Sequence, residues 1–253
     1  MSVLKPMAGA GLPVGPRVDP SPAALPGPVK LPGRDVDLVA LDPEEHGPAL
    51  WESLRGQAND GLWAYLFDGP FSDASEFHAT VKRLCQAEGY HFLAILDHAT
   101  EAPLGWAALM RVEPRHRSIE VGYILYTPTL QRTRGATEAM YLLARYVFEE
   151  LGYRRYEWKC NGLNTASRRA ALRLGFTFEG VFRQHMIVKG RNRDTAWFSI
   201  LDYEWPARRK RLEAWLEPSN FDETGRQKTA LAATPTDDSP TLPRAPRQPP
   251  QVG

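Results

Sequence analysis

Three short stretches carry residue types that could do chemistry. Gln131-Arg132-Thr133-Arg134-Gly135-Ala136 is a small, basic turn that opens a long helix. A strand feeding a helix through such a turn suits a pyrophosphate, because the unpaired N–H groups and the positive end of the helix dipole point at the anion. Upstream, Ser118 to Leu125 reads as a strand with a charged Glu120 inside an apolar run. Glu120 has two readings, a sheet-edge carboxylate paired with Arg117 or Arg155, or a functional carboxylate. Downstream, Asn164 to Leu174 reads as a short helix closed by Gly175-Phe176, with Asn164 and Ser167 near its start.

Other elements must hold these three in place. Val36 to Leu41 reads as a strand, and Asp42-Pro43 as a helix start with Asp42 as cap. A second helix begins near Ser75, where Phe77, Val81, Leu84 and Cys85 recur at helical spacing. His91–Leu96 and Leu104–Val112 form an antiparallel hairpin. The third helix places Ala136, Ala139, Met140, Leu143, Ala144, Val147, Phe148 and Leu151 on one face, and Gly152 stops it. A parallel-capable strand, Arg155–Cys160, follows. Phe176–Phe182 and Ala196–Tyr203 are the final strands around a basic loop, before a helix from Pro206 to about Leu216. The order predicts an α/β (α+β) domain in which an antiparallel meander meets a crossover.

Bulk properties narrow the class. The 253 residues can bury a full core. A net charge of +1 argues neither for nor against nucleic acid, and the basic stretches are short and interrupted. Cys85 and Cys160 cannot form a disulfide framework or a metal site by themselves, and read as buried free thiols. His78, His91, His98 and His185 lack metal-ligand spacing. No segment reaches the roughly 20 apolar residues of a membrane span, and the first residues lack a signal peptide's apolar core. The expected compartment is the cytoplasm. Many of the 22 prolines cluster at the two ends. Residues 1–32 are therefore expected as a disordered leader, 33–231 as the domain, and 232–253 as a disordered tail.

With these residues in this order, the sequence resembles the GNAT superfamily of acyl-CoA-dependent N-acetyltransferases, and within it the branch of the ribosomal-protein-alanine acetyltransferases. The resemblance runs from about Arg34 to about Trp205. It is carried by Glu120-Val-Gly-Tyr-Ile-Leu125, Ala136-Thr-Glu-Ala139, and Asn164-x-x-Ser167 followed by Leu174-Gly175-Phe176. It implies a mixed, mostly antiparallel sheet with a splayed parallel strand pair and helices on both faces. The family's turn is usually Gln/Arg-x-x-Gly-x-Gly/Ala, whereas here Arg134 stands at the first glycine and Gly135 comes one place late. Either Arg134 adds a contact to phosphate, or its side chain crowds the approach.

The resemblance also implies roles. Acetyl-CoA is the co-substrate, no metal is required, and the amine attacks the thioester directly. Glu120 corresponds to the branch's general base; partial burial would raise its pKa toward neutrality, as a base needs. Gly122 fits a bulge where the strand leaves its parallel neighbour at 155–160, and in the family that gap admits the pantetheine arm. Backbone groups near Ile124 and Leu125 would bond the arm, and Gln131, Arg132, Thr133, Arg134, Gly135 and Ala136 would hold the diphosphate. Ala171 stands where many members have an acid tyrosine. Ser167 is the implied proton donor to the thiolate, or else an ordinary first-turn serine. Asn164 could cap its helix, meet pantetheine, or both.

The acceptor is read only as a class. An α-amine with a pKa near 8 is roughly one-tenth neutral at pH 7, whereas a lysine is neutral about once in a few thousand. A primary α-amine, on a small molecule or a protein N-terminus, is therefore preferred. The expectation includes no nucleic-acid and no membrane partner. A homodimer through an exposed final strand and the Trp215 helix is possible. The alternatives are a non-catalytic acyl-CoA sensor or scaffold, and an aminoacyl or longer-acyl transferase on the same fold. Arg183–Asp194 reads as a solvated basic hairpin, or, since the resemblance implies that this region borders the acceptor cleft, as a holder of an anionic substrate group; Trp51, Trp63, Trp106 and Trp158 read as core.

Overall fold

Val36 and Leu38 are almost wholly enclosed, which seats Val36–Ala40 as the first strand, β1, of a seven-stranded sheet. The computed structural model describes residues 5–6 and 13–231. The other strands are Tyr90–Asp97 (β2), Pro103–Glu113 (β3), Ser118–Tyr126 (β4), Arg155–Asn161 (β5), Thr177–Val188 (β6) and Arg191–Leu201 (β7). The α-helices are Pro43–Leu54 (α1), Ala74–Cys85 (α2), Arg134–Arg145 (α3), Thr165–Leu174 (α4) and Trp205–Leu216 (α5). The sheet order is β1-β2-β3-β4-β5-β7-β6. Only β4 and β5 run parallel; every other neighbouring pair is antiparallel.

Two apolar layers sandwich the sheet. Leu109, Ile119 and Val121 face a core shared with α3, α4 and α5, while Phe92, Ala94, Trp106 and Ala108 face α1 and α2. Local chemistry sets the helix starts. Asp42 Oδ1 accepts from the N–H groups of Glu44 and Glu45 at 2.8 and 3.1 Å, with Pro43 at the first helical position. Asp73 Oδ1 caps α2 through the Glu76 N–H at 2.9 Å.

Several expectations are corrected. Strict alternation along 118–125 would put Tyr123 and Leu125 on the face of Ile119 and Val121. Instead Tyr123 adopts a φ of +52°, and the β3–β4 pairing shifts register between Trp106 and Ala108. This bulge turns Tyr123 and Leu125 to the α1–α2 side. The third helix is α-helical only to Arg145, and Tyr146–Glu150 forms a wider π turn before Gly152, at φ +75°. The basic loop expected at 183–194 is mostly strand. β6 and β7 meet through Lys189-Gly190, both left-handed, the turn that a tight hairpin favours.

Nor is the last strand an edge: β7 is flanked by β5 and β6. Trp215 is buried and donates from Nε1 to Gln227 Oε1 at 2.9 Å. Part of the expected leader is built into the domain. Ala23 N–H donates to Pro114 O at 3.0 Å, and Leu31, 2% exposed, exchanges backbone bonds with Leu38. Two small apolar anchors suffice there, which averaged composition hides. The expected tail from 232 lies outside the described residues.

Candidate active site

β4 and β5 pair from Ser118 opposite Arg155 to Val121 opposite Trp158, and there their ladder ends. Both strands continue, β4 along β3 as far as Tyr126 and β5 along β7 as far as Asn161. Each is held on its outer side, so they part, and the bulge at Tyr123 supplies the bend. Gly122 has a different part from the one expected, since Tyr123 takes the left-handed conformation. A Cβ on Gly122 would lie 2.6 Å from Met110 Sδ and 3.3 Å from Glu120 Oε1. Glycine there leaves room beside the carboxylate. The gap belongs to a cleft of about 1790 Å³ that runs from Glu120 to the start of α3.

Glu120 is 4% exposed and lies beside Glu157 in the parallel register. Lys159 Nζ sits between them, 2.8 Å from Glu120 Oε2 and 2.7 Å from Glu157 Oε2, and 3.9 Å from the centre of the Trp197 ring. Arg111 Nε lies 3.0 Å from Glu120 Oε2. The partners expected for a sheet-edge carboxylate are engaged elsewhere. Arg117 reaches Asp19 at 2.6 Å, and Arg155 reaches Glu157 at 2.6 Å and Glu179 at 2.5 Å. Burial pushes the Glu120 pKa up, and the nearby Lys159 and Arg111 do not cancel the rise. Burial also acts upward on Glu157, but hydrogen bonds from Lys159 and Arg155 outweigh it and hold that carboxyl below its usual range. Neighbouring carboxylates driven apart in this way can divide the roles of base and permanent anion.

At the far end of the cleft, Thr133 caps α3: its Oγ1 accepts from the Ala136 N–H at 3.1 Å. The N–H groups of Arg134 and Gly135, in the first turn, have no intrahelical acceptor. Arg132 precedes them in the left-handed region, at φ +63°. The Gln131 side chain donates to Tyr126 O at 3.2 Å and so ties the turn to the end of β4. Arg134 is not aimed as expected. Its guanidinium is bidentate to Asp35, and its Cζ lies 5.0 Å from the centre of the Phe221 ring. Gly135 serves packing, since a Cβ there would be 2.8 Å from Val36 Cγ1.

Across the gap stands α4. Asn164 is its cap, with Oδ1 accepting from the Ser167 N–H at 3.0 Å. Ser167 Oγ accepts from Trp158 Nε1 at 2.9 Å, which leaves the hydroxyl proton for another acceptor. Trp158 is thus buried as expected and also fixes a side chain of the cleft. Ala171 is fully buried in the core. Arg169 and Arg173 project from the same helix to the cleft lining; Arg173 donates to Thr137 Oγ1 at 2.9 Å and lies 4.6 Å from the centre of the Trp215 ring.

On the opposite side, sequence reasoning named only the basic segment 183–194 and missed Arg111 and Lys159. Arg111, Lys159, His185 and Arg193 all line the cleft near Glu120. Lys159 was detectable, because Arg155, Glu157 and Lys159 alternate along one strand face. His185 was not: β6 carries extra residues between Phe182 and Met186, and that irregularity aims His185 Nδ1 at Thr195 Oγ1, 2.9 Å away. The segment Gly61–Asp68 roofs this side. Lys189 Nζ donates to Trp63 O and Asp68 O, each at 2.8 Å, and the Tyr65 hydroxyl donates to Leu163 O at 3.3 Å.

Comparison with known proteins agrees with this architecture. The family described as Acetyltransferase (GNAT) domain matches residues 38–177, more than half of the chain. The crystal structure of a GCN5-related N-acetyltransferase from Brucella melitensis is 44% identical, with a TM-score of 0.81, and covers 83% of this chain and 96% of its own. YdaF of Bacillus subtilis (strain 168), described as a candidate ribosomal N-acetyltransferase, is 25% identical over 175 residues, 67% of this chain and 93% of its own. The fold is also that of RimL, a ribosomal L7/L12 α-N-protein acetyltransferase solved with coenzyme A, at 22% identity and a TM-score of 0.58, over 69% of this chain and 99% of that one. A sheet that parts beside a buried carboxylate, together with these matches, places the chain in the GNAT family of acetyl-CoA-dependent N-acetyltransferases.

Proposed function

We propose that the chain acetylates a primary α-amine, on a small molecule or a protein N-terminus, by direct attack with Glu120 as general base. The supporting observation is the β4–β5 ladder that ends at Val121 and Trp158 beside a buried carboxylate of raised pKa. Acetyl-CoA supplies the activated acetyl carbon. The diphosphate rests against Gln131, Arg132, Thr133, Arg134, Gly135 and Ala136, where the first N–H groups of α3 point outward and Arg169 and Arg173 add positive charge. Arg134 contributes its backbone there, because its side chain is committed to Asp35.

The gap between the strands takes the pantetheine arm. Backbone groups of Ile124 and Leu125, beyond the last β4–β5 pair, are placed to bond its amides, and one N–H polarises the thioester carbonyl. Glu120 removes the ammonium proton, directly or through one water. As nitrogen bonds to the acetyl carbon and the carbon–sulfur bond breaks, Ser167 gives its proton to the departing sulfur, and the second proton of the attacking nitrogen restores the Ser167 hydroxyl. Asn164 holds Ser167 in place through the cap. The amine pKa argument favours an α-amine over a lysine. YdaF's description as a ribosomal N-acetyltransferase keeps ribosomal amines within the substrate class.

Calorimetric titration with acetyl-CoA, followed by thiol release from a panel of α-amines, N-terminal peptides and lysine analogues, tests this reading. Binding and turnover of α-amines are expected. Absence of acetyl-CoA binding would overturn the reading at its root, and equal turnover by Glu120→Gln at neutral pH would remove the base assignment.

A further inference from the structure

Of the cations grouped around Glu120, Arg193 has no carboxylate partner among the described residues. It stands on β7 and is 8% exposed, yet it lines the cleft beside Glu120, Cys160 and His185. Among the described residues its guanidinium makes no hydrogen bond or ion pair, and its Nε is buried without an acceptor. What it does touch is the roof: its Cζ lies 5.1 Å from the centre of the Phe67 ring. Its neighbours are already neutralised. Arg111, Lys159 and Arg155 are matched by Glu120, Glu157 and Glu179. One positive charge is left over, and it is enclosed.

A buried charge is costly unless it is paired. Arg193 bears the cost in desolvation, which holds its pKa below the ordinary arginine value. The face of Phe67 offsets part of that cost but satisfies none of the five N–H donors. A guanidinium fork with vacant donors in a closed cleft matches a planar, singly charged oxyanion, which it can grip through two parallel bonds. A phosphate dianion would call for a second unneutralised cation beside it, whereas Arg111, Lys159 and Arg155 are each matched by a carboxylate.

Resting on the acetyltransferase reading, we infer that Arg193 forms the anion subsite of the acceptor pocket, and that the preferred acceptor is a primary amine carrying a carboxylate a few bonds from the reacting nitrogen. Glu120 takes the ammonium end and Arg193 the carboxylate end. The acceptor is thus read as a zwitterion by two buried groups of opposite charge. The carboxylate has two possible sources, a free α-amino acid or an acidic side chain at a peptide N-terminus.

The test uses the full chain loaded with CoA or acetyl-CoA. Thiol release is measured for free amino acids, their methyl esters or amides, and N-terminal peptides that begin with Asp or Glu against Asn or Gln. Carboxylate-bearing acceptors are expected to exceed their neutral counterparts in kcat/KM by on the order of 10- to 100-fold, the range for hydrogen bonds to a charged group. In Arg193→Gln that ratio should collapse toward one, mainly through KM, while calorimetry still shows acetyl-CoA binding. Arg193→Lys should recover only part of the preference, since an ammonium lacks the fork.

As a readout independent of turnover, N-acetylated acids and their amides are titrated into the CoA-loaded protein, wild type and Arg193→Gln. Stronger binding of the acids, lost in the variant, supports the subsite. Equal handling of charged and neutral partners by the wild-type protein, or a ratio unmoved by Arg193→Gln, overturns it. Turnover of amines without carboxylate preference sinks this inference alone, whereas absence of acetyl-CoA binding sinks the acetyltransferase reading beneath it.

Discussion

Glu120 stands beside Glu157 in the only parallel ladder of the sheet, and a single ammonium, that of Lys159, contacts both. The cation does not treat them equally. Glu157 also receives Arg155 and is held below the ordinary carboxylate range, while Glu120, more enclosed and next to the gap, is pushed above it. The chemistry of the cleft follows from that inequality.

A base must be ionised to act, so a raised Glu120 pKa moves the acid limb of the rate profile to higher pH. Activity should fall on acidification before an ordinary glutamate would titrate. Glu120→Gln should lower kcat by roughly 10²- to 10⁴-fold, the span of general-base contributions, and abolish that limb. A thiol-release profile from acid to mildly alkaline pH measures both effects.

Lys159→Met strips the shared counter-charge from two enclosed carboxylates. Breaking one side of a buried ion pair costs about 3–5 kcal/mol, and a urea titration at neutral pH should show a loss of that order. Lys159 lowers the Glu120 pKa, so its removal should shift the acid limb further up. Glu157, held down in the folded state, contributes stability above its unfolded pKa that is lost as pH falls through the folded value. That part of the acid destabilisation should be smaller in Glu157→Gln.

Gly135→Ala reverses a familiar sign. Inside a helix the change from glycine to alanine usually gains up to about 1 kcal/mol. Here the new Cβ would meet Val36 Cγ1 at 2.8 Å and press α3 away from β1. A loss of about 1–3 kcal/mol is expected instead, as for other overpacked sites, together with weaker acetyl-CoA binding. Thermal unfolding and calorimetry on one preparation report the two effects.

The α4 cap and its serine can be separated. Asn164→Ala removes the acceptor of the Ser167 N–H and should cost about 0.5–2 kcal/mol. Ser167→Ala leaves the Trp158 indole without its partner, at about 1–3 kcal/mol. If Ser167 also protonates sulfur, its variant should lose kcat by at least about 10-fold beyond Asn164→Ala at matched folding. Equal turnover in the two variants would sink the donor role.

The fold was legible where periodicity is local. Asp42-Pro43, Asn164 with Gly175, and the apolar stripe from Ala136 to Ala144 each announced an element found in place. The parting of two strands near Gly122 was legible too, although the residue that bends is Tyr123. The side of the cleft around Arg111 and Lys159 was not, beyond the reading of 183–194 as a basic segment near it. His185 sits where β6 carries extra residues opposite a regular β7, so alternation misstates its face. Both readings given for Arg134, a phosphate contact or a crowded approach, left out Asp35, whose place 99 positions away no local pattern bridges.

One stitch over the acceptor side shapes how this pocket can diversify. The Lys189 ammonium grips main-chain oxygens of residues 63 and 68, and every amino acid offers that same oxygen. At these two points the hold on the roof is therefore indifferent to which side chains residues 63 and 68 carry.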